Sequence, residues 1–164
     1  MAVNVDPQLP FVAFNFSVEI TQSGVKDPIC AASFSECDGL EVTMEAKTIR
    51  EGGNNGRQIR LSGPLSYGQL VLKRGMTKDT GLWDWFAKSF DKPSLRATTE
   101  VVMFTADAGG KTPTRRFVLK GCVPVKVKAP ALNAKDGLIA IEEMQIAYET
   151  LALTPVPPPP PPPT

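Results

Sequence analysis

Phe14, Phe16, Val18 and Ile20 alternate with Asn15, Ser17 and Glu19. Successive side chains of a strand point to opposite faces, so a period of two prescribes a strand with one buried face. The period keeps returning. Leu40, Val42 and Met44 alternate with Glu41, Thr43 and Glu45, and Phe117 and Leu119 with Val118 and Lys120. Val123, Val125 and Val127 share one side while Lys126 and Lys128 point the other way. A chain patterned like this buries its apolar sites in sheet, and its unpaired edges then need cover.

One segment changes period. From Thr77 to Phe90, Leu82, Trp85 or Phe86, and Phe90 recur every three to four residues. Asp79 or Thr80 stands where a cap belongs and Pro93 lies just beyond, which predicts a helix of about three turns. Trp83 and Trp85 near its start fit a plug for the end of a β-barrel better than a ligand platform.

Turn residues divide the rest. Cys30 to Cys37 reads as one strand closed by Asp38-Gly39, and Tyr67, Leu70 and Leu72 begin another that ends at Lys73-Arg74-Gly75. Glu100 to Thr105 is a β-rich run stopped by Asp107-Ala108-Gly109-Gly110. Pro124 cannot donate to a ladder, so its strand is expected at an edge or a bulge. In the last segment, Gly137 to Leu153, Ile139 and Ile141 share a face, the pattern slips at Glu142-Glu143, and Met144, Ile146 and Tyr148 resume it. A β-bulge explains the slip, and an amphipathic helix is the competing reading.

These elements add up to an all-β fold with one flanking helix, a β-sandwich or barrel of about seven strands spanning residues 1–153. Residues 154–164 differ in kind: Pro155 and Pro157 to Pro163 supply eight of the chain's sixteen prolines. Lacking N–H donors, this tail is expected as polyproline II or without regular structure, outside any sheet.

Composition narrows the function. With no histidine anywhere, the usual Ser-His-Asp and Cys-His arrangements cannot be built. No Walker loop, GxGxxG fingerprint or GxSxG elbow occurs either, so no enzyme, cofactor or metal site is expected. Cys30, Cys37 and Cys122 read as small hydrophobes of a reducing compartment. The 18 basic and 17 acidic residues give no general attraction for nucleic acid or anionic membrane. The N-terminus lacks the basic and apolar regions of a signal peptide, and synthesis in the cytoplasm is expected.

The most unusual loop is Glu51-Gly52-Gly53-Asn54-Asn55-Gly56, flanked by Lys47, Arg50, Arg57 and Arg60. Glycine and asparagine are used where φ must be positive, so this is no regular element. Either it is a solvated hairpin tip, or it becomes ordered against a neighbouring molecule.

Several segments in order resemble the tail tube family of contractile phages (the T4 type), and most of all the inner tube subunits of extracellular contractile injection systems. They are the aromatic strand Phe14 to Ile20, Phe34-Ser-Glu-Cys-Asp-Gly-Leu40, and Arg50-Glu-Gly-Gly-Asn54. Then come Tyr67-Gly-Gln-Leu-Val-Leu-Lys-Arg-Gly75, Leu82-Trp-Asp-Trp85, Pro124-Val-Lys126 with Pro130-Ala-Leu-Asn-Ala134, and Ala140-Ile-Glu-Glu143. Phe117 and Tyr148 stand where relatives often carry tryptophan and histidine, and both keep an aromatic. The polyproline tail has no counterpart in the shared domain.

The resemblance implies hexameric rings stacked into a hollow tube inside a contractile sheath, with a protein toxin or DNA as cargo in the lumen. The implied partners are the chain itself, the sheath protein and the baseplate or tube-initiator proteins. The particle is a phage tail or a released injection machine. A tube-initiator ring at the baseplate is the alternative within the class; outside it stands a scaffold that recruits a polyproline-binding partner. Within the tube reading, Arg50, Glu51, Gly52, Gly53, Asn54, Asn55, Arg57 and Arg60 are the expected contact between subunits or stacked rings. Glu36, Asp38 and Asp79 are candidate acidic partners across it.

Overall fold

The computed structural model describes residues 15–50, 52–53, 58–107, 110–135 and 137–155. The alternation at Val18 and Ile20 becomes β1 (Phe16–Gln22), with both side chains buried. β2 (Cys30–Ala32), β3 (Glu36–Asp38), β4 (Val42–Arg50), β5 (Gln58–Tyr67) and β6 (Gln69–Gly75) follow. After helix α1 (Gly81–Asp91) come β7 (Ala97–Asp107), β8 (Gly110–Lys128), β9 (Ile141–Ala147) and β10 (Thr150–Pro155). The architecture is all-β with a single helix, as its sequence periods require, but with ten strands among the described residues rather than about seven.

Eight of them form one antiparallel sheet in the order β2-β1-β7-β8-β9-β6-β3, with β10 also pairing β8. The 19-residue β8 joins its two halves. Residues up to Cys122 pair β7 and β10, and those from Val123 pair β9. The corner is marked by Gly121, at φ +69°, and by a register shift between Pro124 and Lys126. Bends and bulges are how a strand passes from one sheet to the next, and a bulge is where proline costs no ladder bond. The two halves share one core, built from Val18, Ile20, Leu70, Leu72, Leu119, Met144 and Ile146.

The helix has the expected length of about three turns, 11 residues in all. It begins at Gly81, whose N–H donates to Asp79 Oδ1 (3.0 Å), while Thr80 makes no side-chain cap. Leu82 and Trp85 are buried against the core and Trp83 is half-buried, so Trp85 is the plug. Phe90, expected on the same face, is 83% exposed. The inward stripe runs Leu82, Trp85, Phe86, Ser89, and Phe90 has rotated past its edge.

Four further expectations are corrected. Cys30 to Cys37 is not one strand: β2 and β3 lie at opposite ends of the sheet order, and Phe34 is buried at the crossing between them. The last segment is two strands, β9 and β10, with Tyr148-Glu149 between them. The Glu142-Glu143 slip is no bulge, because β9 pairs β6 without interruption from Ile141 to Ala147. Glu142 points into the core and Ile141 points out. Finally, β4 has no buried face: all nine residues are exposed. The strand Gln58–Tyr67 was not foreseen. Gly63 and Pro64 interrupt its pattern, and they are accommodated opposite a register shift between Met44 and Ala46.

Phe14, the turn at 108–109 and the polyproline run Pro157–Pro163 lie outside the described residues. Pro155 closes β10 opposite Arg115, so the sheet extends two residues past the expected boundary at 153.

Candidate functional site

Among the described residues β4 and β5 pair only with each other, as a two-stranded sheet separate from the eight-stranded one. On this hairpin Val42, Met44, Ile49, Leu61 and Leu65 are all about half exposed. Cross-strand register sets Met44 beside Leu65 and Ile49 beside Ile59. Such pairs stabilise a ribbon, but a lone hairpin is marginal in water. Its apolar side chains and free strand edges are the features a protein normally covers.

Arg50 and Arg60 are brought together near the tip. The register places Arg50 opposite Gln58 and Thr48 opposite Arg60, so both arginines share one face of the ribbon. Both are exposed, and among the described residues neither has an ion-pair partner. Gly52 and Gly53 form the turn, Gly53 with φ +97°. Glu51, Asn54, Asn55 and Arg57 lie outside the described residues. The suggested acidic partners are partly occupied within the subunit: Glu36 binds Lys73 Nζ (2.8 Å) and Asp79 binds Arg74 (3.0 Å).

The neck of the hairpin, which sequence reasoning did not single out, is held by Tyr148. Its hydroxyl lies 2.8 Å from the Gly39 carbonyl oxygen and 2.9 Å from that of Glu41, and it accepts the Glu41 N–H at 3.1 Å. Its ring meets Tyr67 edge-on, with centroids 5.8 Å apart.

The buried Arg74, Glu142 and Cys30 form a structural network with the half-exposed Asp79. Arg74 Nε donates to Glu142 Oε1, and the other carboxylate oxygen accepts Trp83 Nε1 at 2.9 Å. Arg74 also donates to Asp79 Oδ2 (3.0 Å), to the Asp79 carbonyl (3.1 Å) and to Cys30 Sγ (3.2 Å), with its guanidinium 5.8 Å from the Phe34 ring centroid. Burial works against the Arg74 charge, but the bonds from Glu142 and Asp79 outweigh it and raise the pKa. Asp79 is lowered by the Gly81 N–H and then by Arg74. Cys30 is raised by burial, against the neighbouring Arg74, which makes it a poor nucleophile. Every strong donor and acceptor here already has a partner, which suits a brace between elements and leaves none poised for proton transfer.

Among the described residues no group of three or more His, Cys, Asp or Glu is placed to hold a metal ion. No helix there is long and apolar enough to cross a membrane. An open groove of about 540 Å³ lies between α1 and the β1–β2 connection, lined by Val25, Pro28, Ile29, Trp85 and Leu95 with Asp27, Asp84 and Lys88 at hand.

With this geometry in view, the relatives are informative. No curated protein sequence matches the chain significantly. Among solved structures the chain resembles one in the 6-fold symmetrised cryo-EM structure of the anti-feeding prophage (AFP) baseplate. The two are 24% identical with a TM-score of 0.78, over 90% of this chain and 97% of that one. It resembles a chain of the extended sheath-tube complex of an extracellular contractile injection system, PVC, at 16% identity and TM-score 0.75, over 92% of this chain and 95% of that one. A crystal structure of an Hcp protein is more distant, at 12% identity and TM-score 0.57, over 86% and 99% of the two chains. These likenesses establish the fold. The family follows from sequence: the model of the T4-like virus tail tube protein gp19 matches residues 12–152. That family is structural rather than enzymatic. The chain belongs to the T4-like virus tail tube protein gp19 family.

Proposed function

We propose that this chain is a wall subunit of the inner tube of a contractile injection machine, closing into rings of six that stack as a hollow conduit. The observation that carries the reading is the β4–β5 hairpin, an arm with half-exposed apolar side chains that, among the described residues, pairs with no other strand of its own subunit. A tube gives it that cover, supplied by the neighbouring copies. The family match and the six-fold symmetry named for the AFP baseplate structure support the ring.

Within this reading the tip residues, Arg50 to Arg60, contact the adjacent ring. Exposed ion pairs contribute only about 0.2–1 kcal/mol each, but six identical contacts per ring act together. The sheath, the baseplate and a cargo in the lumen are the remaining partners. The sheath–tube structure of the PVC system supports the first. The subunit itself is made in the cytoplasm and leaves it in a phage tail or a released particle. Replacing Arg50 and Glu51 together with alanine tests the contact. Single rings should persist while tubes shorten, more so at high salt; tubes of normal length would contradict it.

A second reading within the class makes the chain the ring that initiates the tube at the baseplate. The likeness to a chain of the AFP baseplate structure favours it. Labelled subunit found at one end only, rather than along the tube, would decide for this reading.

A further inference from the structure

We infer that Tyr148 is the positioning residue that aims the β4–β5 hairpin, so that the arm meets its neighbour already oriented. The inference rests on the tube reading for its purpose, but its geometry stands within one subunit.

The hairpin leaves the body through a narrow neck. The incoming backbone runs through Gly39 and Glu41 and the outgoing one through Tyr67 and Gly68. Gly68 N–H closes the neck on the Glu41 carbonyl (3.1 Å). Tyr148 grips both sides at once, the hydroxyl holding the incoming strand and the ring edge packing on Tyr67. A hydroxyl has one proton and two acceptor sites, so the Gly39 and Glu41 carbonyls share one donor while the Glu41 N–H fills an acceptor site. Tyr148 itself is only 6% exposed, at the end of the buried face of β9, and therefore cannot drift with the arm. The neck has little slack: Gly39 has φ +84°, and a side chain there would run into the Gln69 carbonyl oxygen.

The leverage is large. A nine-residue strand reaches about 30 Å at roughly 3.3 Å per residue, so a 10° swing at the neck moves the tip by about 5 Å. That is more than a side-chain contact tolerates. An arm fixed in advance also avoids the ordering cost that a swinging one would meet on association.

Hydrogen exchange of the unassembled full-length subunit tests this, in Tyr148→Phe and, independently, Tyr67→Ala. Phenylalanine keeps the ring contact and removes the hydroxyl; Tyr67→Ala removes the ring contact from the arm's side, where Tyr67 packs half-buried at the margin of the core. In each variant the amides of Val42–Arg50 and Gln58–Tyr67 should exchange about tenfold faster while those of β7 and β8 keep wild-type rates. Tube formation should need about tenfold more protein. Unchanged hairpin exchange, or acceleration spread evenly over the body in both variants, would overturn the inference. If the wild-type subunit forms no tubes, the tube reading falls, and the exchange pattern still decides whether Tyr148 orients the arm.

Discussion

Arg74 Nε and Glu142 Oε1 lie 2.6 Å apart on directly opposed residues of β6 and β9, with both side chains 3% exposed. Two charges withdrawn from water this fully persist only because each is otherwise satisfied: Glu142 by Trp83, Arg74 by Asp79. The pair thereby ties both strands to the start of α1.

Removing one partner should cost far more than removing both. Arg74→Ala leaves a buried, uncompensated carboxylate and is expected to destabilise by about 3–5 kcal/mol. The double variant Arg74→Met, Glu142→Leu should lie within about 2 kcal/mol of wild type, since the groups that lose bonds are Trp83 Nε1, Asp79 and the weak acceptor Cys30 Sγ. Urea denaturation measures both; equal losses would mean that the pair stabilises by attraction alone.

The pH dependence has a defined sign. The Asp79 carboxyl is held below its ordinary 3.8, by the Gly81 N–H first and Arg74 second. A carboxyl depressed in the folded state stabilises above its unfolded value, and that contribution is lost as pH falls through the folded one. The stability gap between wild type and Asp79→Asn should therefore be complete at about pH 6 and close below 3.8. A gap that widens toward acid would reverse the assignment.

Gly39 should tolerate no side chain. At φ +84° with the Gln69 carbonyl against its Cα, Gly39→Ala combines left-handed strain of about 1–3 kcal/mol with a backbone clash. Thermal unfolding should show the loss, whereas Gly24→Ala, with φ +86° in open space, should show only the smaller conformational cost.

Where sequence and fold diverge, one charged residue or one breaker explains it. The alternation of β1 and β6 and the period of α1 were legible because a single environment acts on each face. Glu142 was not, since a carboxylate on a core face mimics a slip in register until Arg74 appears from a strand 68 residues away. β5 was hidden by Gly63-Pro64, which break its pattern and lie opposite the register shift between Met44 and Ala46. The apolar side of β4 was legible as apolar, but not as a face whose residues are all exposed. Of the expected contact, Arg50 and Arg60 meet on one face of the ribbon through pairing that their spacing alone does not reveal. Tyr148 was legible as the last apolar position of a strand and as an aromatic where relatives often carry histidine, but not as the residue that holds the neck.

The tail should be dispensable for the fold. Among the described residues Pro155 is the last to pair, and deletion of Val156–Thr164 should leave the melting temperature and ring formation unchanged. Insoluble or unassembled protein after this deletion would make the tail part of the structure.

Electron microscopy of the purified full-length chain, with symmetry read from end-on views, tests the central claim most directly. The account predicts six-fold rings that stack into hollow tubes, with the hairpin of each subunit covered by its neighbours. A protein that stays monomeric at high concentration, even with baseplate components present, would contradict it.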